Sequence, residues 1–158
     1  MNDDIQEQSE RIFGRGGKRP TVGCDCVILM QREGMWWVLL IERGHGPYKG
    51  RWALPGGFME WGESCDQAAA RELLEETSLN NVDLKLLGVF SKPGRDPRGT
   101  IVSVSYIGTV DAASASKATG GDDAVRAEWF PLNQTPELAF DHGDILASAK
   151  YYLNSGKL

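Results

Sequence analysis

GFMEWGESCDQAAARELLEETSL (residues 57–79) decides the reading of this 158-residue chain. Ser64 followed three residues later by Gln67 is a capping-box pair, and Asp66 falls in the first turn, where the helix dipole favours negative charge. A helix is therefore expected to run to about Thr77, with Cys65, Ala69 and Leu73 at i+4 spacing, flanked by Ala70 and Leu74, as its apolar stripe. Glu72, Glu75 and Glu76 stand at i, i+3 and i+4, which gathers three carboxylates on one face of the helix. They also lie near its C-terminus, where the dipole disfavours anions, so the trio weakens the isolated helix and calls for positive charge. Arg71 supplies part of it, and Glu63 is expected to pair with Arg71 and brace the loop before the helix. The remaining acids read as a site for a hard divalent cation, Mg²⁺ or Mn²⁺, with a solvated acidic face as the alternative.

Upstream, Thr21 to Met30 and Trp36 to Ile41 are nearly unbroken apolar runs joined by Gln31-Arg32-Glu33-Gly34, which predicts two covered strands in a hairpin. Gly44 to Gly50 is a loop by composition, leading to a short strand at Trp52-Ala53-Leu54. Downstream, Val82 to Phe90 and Ile101 to Val110 read as strands joined by the loop Ser91 to Thr100. Ala127 to Phe130 reads as a short strand ended by Pro131, and Asp141 to Leu153 as a closing helix packing Ile145, Leu146 and Ala149 inward. Strands, helix, strands, helix is the order of an α/β or α+β domain with a mixed sheet between helices.

The length suits one domain, taken as residues 20–158 behind a polar, flexible segment 1–19. Seventeen basic against twenty-two acidic residues give a net charge of −5, which argues against a broad basic surface for nucleic acid but leaves room for a locally positive pocket. No stretch approaches the ~20 apolar residues of a membrane-spanning helix. The polar N-terminus carries no apolar signal region, so the cytoplasm is the expected address and the membrane is not an expected partner. Cys24, Cys26 and Cys65 are odd in number, and the first two sit in an apolar run. They read as reduced thiols rather than a disulfide framework, and a zinc cluster is not expected.

The spacing G-x5-E-x7-R-E-U-x-E-E-x-G-U, in which Gly57, Glu63, Arg71, Glu72, Leu73, Glu75, Glu76 and Leu79 match, resembles the Nudix box. One position departs: Ser78 stands where the family usually has glycine, which accepts φ > 0 at a helix-ending turn. A modest stability cost is expected there, or a rearranged helix end using Asn80 or Asn81, with the metal ligands intact. The resemblance implies a Nudix fold, an α/β/α sandwich with a mixed β-sheet. It also implies hydrolysis of a nucleoside diphosphate linked to another group, with divalent metal. By the same resemblance Glu72 and Glu76 are metal ligands, Glu75 is a ligand or part of the base system, and the carbonyl of Gly56 is a further ligand. Gly57, Glu63 and Arg71 orient the box. Glu60, Asp122, Asp123 and Glu128 are outlying candidates for the base.

Three stretches beyond the box, Arg51 to Phe58, Gly88 to Gly99 and Leu138 to His142, resemble the ADP-ribose pyrophosphatase branch of the family. The implied ligand is a small-molecule nucleotide, ADP-ribose, split to AMP and ribose 5-phosphate. Tyr48, Arg51, Arg95, Arg98 and His142 are the candidates to hold it. Lys92, Arg95 and Arg98 put three cations in one loop that either meets phosphate or is a solvated hairpin. Tyr48 stacks on a base or packs inward, Trp52 is expected in the core, and His142 is either ligand-facing or structural. The alternatives are a triphosphatase of oxidised nucleotides and a nucleotide sensor. The sensors that resemble this core carry a winged-helix domain after it, which this sequence does not show, so the enzyme reading is expected. Similar enzymes are often homodimers, an assembly open to this chain as well.

Overall fold

The computed structural model describes residues 19–121 and 124–158, so the lead-in up to Lys18 and the candidates Asp122 and Asp123 lie outside the described residues. The apolar run after Pro20 forms the expected hairpin: β1 (Thr21–Arg32) and β2 (Met35–Arg43) pair antiparallel from Leu29↔Val38 to Arg32↔Met35. Glu33 and Gly34 both take positive φ, 51° and 76°, as a tight two-residue hairpin turn requires. β3 (Trp52–Ala53), β4 (Gly56–Phe58), α1 (Cys65–Thr77), β5 (Lys85–Phe90), β6 (Ile101–Thr109), α2 (Ala112–Ala115), β7 (Ala124–Pro131) and α3 (His142–Asn154) follow.

The sheet runs β3-β2-β1-β6-β5, with β4 also paired to β1 and β7 to β2. β1 and β6 are parallel along Thr21–Leu29 while the other ladders are antiparallel, so the sheet is mixed. Alternation along β1 sorts its side chains between two layers. Val27 and Leu29 pack with Ile145, Leu146 and Ala149 of α3, whereas Cys24, Cys26 and Ile28 pack with Ala68, Ala69 and Leu73 of α1. The result is the α/β/α sandwich. Cys24, Cys26 and Cys65 are free thiols, the first two buried.

β1 meets β2 only over its last four residues, and over Gly23–Asp25 its neighbour is β4 instead. The two long strands therefore diverge, and the Gly56-Gly57 segment enters the gap under the C-terminal half of α1. The start of α1 is as expected: Ser64 Oγ accepts from Gln67 N, and the Gln67 side chain accepts from Ser64 N.

Several boundaries depart from the sequence reading. The stripe of α1 includes Ala69 and Leu73, but Ala70 and Leu74 face solvent, and Ala68, Glu76 and Thr77 are the further buried members. Its inward arc is turned toward β4, which carries Glu76 inside. Ser78 caps α1 itself in the left-handed region (φ 63°, ψ 7°), its N–H donating to the Leu74 carbonyl. Its hydroxyl lies 3.0 Å from Thr119 Oγ1, so serine adopts the turn geometry that glycine would supply. Asn81 is also left-handed (φ 55°), and the chain is still turning there, which delays β5 to Lys85. β7 begins three residues before Ala127 because Ala124 and Arg126 also pair with β2, at Arg43 and Glu42, across a register shift that leaves Val125 out of the ladder. β4 and α2 were not expected. Two of the three residues of β4 are glycines, and its strand character comes from pairing with β1.

Candidate active site

The site begins with two close approaches made at glycines, the first of them against backbone and the second against a side-chain end. A Cβ on Gly56 would overlap the Cys24 carbonyl and the Asp25 carboxylate, and one on Gly57 would overlap the Glu72 carboxylate. With no side chain in the way, Gly56 N donates to Glu76 Oε2 at 2.9 Å. Glu76 is buried, and its carboxyl is pushed up to about 8, chiefly by loss of hydration and further by the charges of Glu72 and Asp25, with the Gly56 N–H working in the opposite direction.

Arg71 gathers the other acids. Its Nε and one terminal nitrogen reach both Glu63 oxygens at 2.6 and 3.0 Å, and the same terminal nitrogen donates to the Phe58 carbonyl at 2.9 Å. The second terminal nitrogen contacts Glu72 at 2.7 Å and Glu75 at 3.2 Å. Glu63 also accepts from Glu60 N, and the Arg71 hydrogen bonds hold its carboxyl below the usual carboxylate range. The guanidinium thus ties the loop before α1 to the acidic face of α1.

Glu60, Glu72, Glu75, Glu76 and Arg71 line one cavity of about 430 Å³, together with Asp25, Arg43, Arg95, Arg98, Phe140 and His142. The resemblance-based candidates divide accordingly. The structure brings Gly56, Gly57, Glu72, Glu75, Glu76, Arg71, Arg95, Arg98 and His142 to this cavity, with Glu60 at its edge. Glu63 reaches it through Arg71. Tyr48 and Arg51 are not in its lining: Arg51 is exposed, 3.4 Å from Glu137, and Tyr48 packs edge-on against Phe140. Glu128 pairs with Arg126 on β7 and is also outside it.

The loop cations divide: Lys92 is exposed and outside the cavity lining, Arg95 is enclosed, and Arg98 is exposed at the cavity wall. Arg95 is buried and bidentate to Asp141 at 2.9 and 2.6 Å, and Arg98 is held by Asp96 while lying 4.8 Å from the Phe58 ring and 5.2 Å from the Phe140 ring. His142 is buried. Its Nδ1 accepts from Leu54 N at 3.0 Å, which leaves the proton on Nε2, 3.6 Å from Asp25 Oδ1. Burial lowers its pKa and keeps it neutral, so the contact with Asp25 is dipolar rather than an ion pair.

Sequence reasoning passed over Asp25, Arg43 and Phe140. Asp25 is the lone charge in the apolar run of β1, held by the Ser103 hydroxyl, which in turn bonds Ser105. That isolation was a usable signal. Arg43 resembled an ordinary strand-ending residue, and nothing in the sequence marked Phe140 beyond its place in a quoted stretch.

The donor chemistry fits a hard cation: Glu72, Glu75, Glu76 and the Gly56 carbonyl offer oxygen only. The Glu76 carboxyl is raised chiefly by burial and in lesser part by the negative charges of Glu72 and Asp25, and a cation would relieve the latter. Among the described residues no three acidic, histidine or cysteine side chains already converge as a ligand set, in keeping with Glu72 and Glu75 being turned to Arg71 and Glu76 to Gly56.

Residues 19–149 match the family model described as the NUDIX domain. Over 127 residues the chain is 45% identical to the ADP-ribose pyrophosphatase of Methanocaldococcus jannaschii, a match spanning 80% of this chain and 71% of that protein. The chain belongs to the Nudix family. The Nudix domain of Shewanella oneidensis NrtR, solved with ADP ribose, superposes with a TM-score of 0.80 at 27% identity, covering 94% of this chain and 98% of that one. The same protein has also been solved with a 27-mer DNA, where this chain covers 62% of its length, with 85% of this chain matched at 30% identity and a TM-score of 0.71. A bifunctional NMN adenylyltransferase/ADP ribose pyrophosphatase of Francisella tularensis, solved with AMP and a manganese ion, gives 0.73 at 27% identity over 98% of this chain and 47% of its own. Nudix hydrolases work with divalent metal, and the box residues of this Nudix chain line a cavity whose donors suit one.

Proposed function

We propose that this chain is a Nudix hydrolase that splits ADP-ribose into AMP and ribose 5-phosphate with Mg²⁺ or Mn²⁺. The observation that carries the reading is Glu76: a buried carboxylate held by Gly56 N–H next to Glu72, in a cavity also lined by four arginines. That cavity suits a ligand whose centre is a diphosphate. The 45% identity to an ADP-ribose pyrophosphatase supports the choice of sugar nucleotide.

A bound divalent cation would neutralise the diphosphate and acidify a water molecule. Glu72, Glu75, Glu76 and the Gly56 carbonyl would hold it. Arg71 is the positioning residue: its bonds to Glu63 and the Phe58 carbonyl lock β4 to α1, and its second terminal nitrogen presets Glu72 and Glu75. A carboxylate of this trio accepts the proton of the attacking water. His142 supports the loop from below through Leu54 N and does not need to touch ligand.

The free cysteines suit a reducing compartment, and we place the activity in the cytoplasm. A homodimer belongs to the same proposal. β5 is a sheet edge exposing Leu86 and Val89, the kind of apolar edge that strand pairing covers.

The test is a panel of ADP-ribose, NADH, diadenosine polyphosphates, nucleotide sugars and oxidised and ordinary dNTPs, each with Mg²⁺, with Mn²⁺ and with chelator. Metal-dependent AMP release mainly from ADP-ribose is the expected result. Preference for a triphosphate would move the protein to the nucleotide-cleansing branch, and tight ADP-ribose binding without turnover would make it a sensor.

A further inference from the structure

Four arginines line the cavity, and three of them are already neutralised: Arg71 by Glu63, Glu72 and Glu75, Arg95 by Asp141, and Arg98 by Asp96. Arg43, at the end of β2, differs. Its hydrogen bonds go to backbone carbonyls of its own loop, Nε to Pro47 at 2.9 Å and a terminal nitrogen to His45 at 3.4 Å, and among the described residues no carboxylate lies within ion-pair distance of it. Those carbonyls fix the plane of the guanidinium without cancelling its charge.

The guanidinium carbon sits over an aromatic ring. Phe140 lies with its ring centroid 4.7 Å from the Arg43 guanidinium carbon and 5.2 Å from that of Arg98. Tyr48 meets the same ring edge-on at 4.8 Å. The backbone of Phe140 is left-handed, φ 53°, a conformation that is costly for a bulky residue and survives only where the surroundings impose it. Two like-charged guanidiniums on one ring repel each other, and loss of hydration together with Arg98 lowers the pKa of Arg43. An anion bound at Arg43 would relieve both.

We infer that Arg43, held over the Phe140 ring by the Pro47 and His45 carbonyls, is the direct protein contact for the phosphate groups of the ligand. The inference rests on the proposed reading of that ligand as a nucleoside diphosphate sugar. It assigns to the chain's own side chain the charge recognition that the saturated Arg71, Arg95 and Arg98 are not free to give.

The experiment is calorimetric titration of the full chain with ADP-ribose, and separately with inorganic pyrophosphate, in chelator so that turnover plays no part. Arg43→Gln is expected to weaken ADP-ribose binding roughly 10- to 100-fold, the range of a lost charge-assisted contact. The gap should narrow as salt rises. Arg43→Lys keeps the charge without the planar fork and should fall between wild type and Arg43→Gln. Binding by Arg43→Gln within twofold of wild type, or equal and salt-independent losses in both variants, would overturn the inference and leave Arg43 a packing residue. Thermal melts accompany each variant. If Arg43→Gln is unstable, the comparison of Arg43→Lys with wild type, with its salt dependence, carries the decision. Arg43-dependent pyrophosphate binding with no ADP-ribose binding would sustain the arginine inference and sink the proposed ligand, and tight ADP-ribose binding indifferent to Arg43 would do the reverse.

Discussion

Glu76 Oε2 accepts a 2.9 Å hydrogen bond from the backbone N–H of Gly56, which ties the inner face of α1 to the strand that slips between β1 and β2. This carboxylate is both the buried centre of the site and its least comfortable charge. Unfolded, it ionises near the ordinary 4.5, and folded near 8. Between those values the folded chain binds more protons than the unfolded one, so metal-free stability should fall as pH rises from about 4.5 to about 8. Glu76→Gln should lack that decline. Thermal melts of both proteins in chelator across this range check it, and parallel curves would refute it.

The same substitution removes a metal ligand or base from the proposed chemistry. Glu76→Gln should lower turnover at least ~10²-fold while leaving the fold intact. Product assays beside circular dichroism separate the two effects.

Gly57→Ala places a methyl group where the Glu72 carboxylate now lies. The collision is with the end of a flexible side chain, so the cost should fall on the site rather than on the fold. Turnover is expected to drop roughly 10- to 100-fold through misplacement of one carboxylate, with little change in melting temperature. A crystal structure or a metal titration of the variant would show Glu72 displaced.

His142 accepts from Leu54 N in a fully enclosed position. His142→Phe would leave that N–H buried without a partner, a cost of about 1–3 kcal/mol. Because the folded pKa of His142 is lowered below 6.5, the wild type should also lose stability as pH falls below 6.5, where the unfolded chain takes up the proton first. The Phe variant should not share that acid-side loss. Urea unfolding at several pH values tests both statements.

Ser78 occupies the left-handed cap with φ 63° and bonds Thr119. Replacing it with glycine relieves roughly 1–2 kcal/mol of steric cost but forfeits the hydroxyl contact and adds backbone entropy to the unfolded chain. These terms offset, and Ser78→Gly should change stability by less than about 1 kcal/mol. Ser78→Val has no such compensation and should destabilise by about 1–2 kcal/mol. Denaturant midpoints for the pair decide it.

The parts of this molecule legible in the sequence are those set by local patterns. The Ser64–Gln67 cap, the β1–β2 hairpin and the spaced acids of α1 each depend on residues near one another in the chain. What escaped depends on tertiary pairing. β4 is a strand because β1 diverges from β2 and leaves an edge to pair, and Ala70 and Leu74 lost their inward places because α1 is rolled to carry Glu76 onto Gly56. The site followed the same rule. The box acids were readable, whereas Arg43, Asp25 and Phe140 come from three separate elements and acquire meaning only where the loops after β2 and before α3 meet the start of β1.

Metal-dependent hydrolysis at Glu76 is decided by product analysis of ADP-ribose incubated with the wild type and with Glu76→Gln, in Mg²⁺ and in chelator, followed by phosphorus NMR. AMP and ribose 5-phosphate should form in equal amounts from the wild type with metal and not at all with chelator, and release from the variant should be at least ~10²-fold slower. Metal-independent cleavage, or a variant as fast as the wild type, would contradict it.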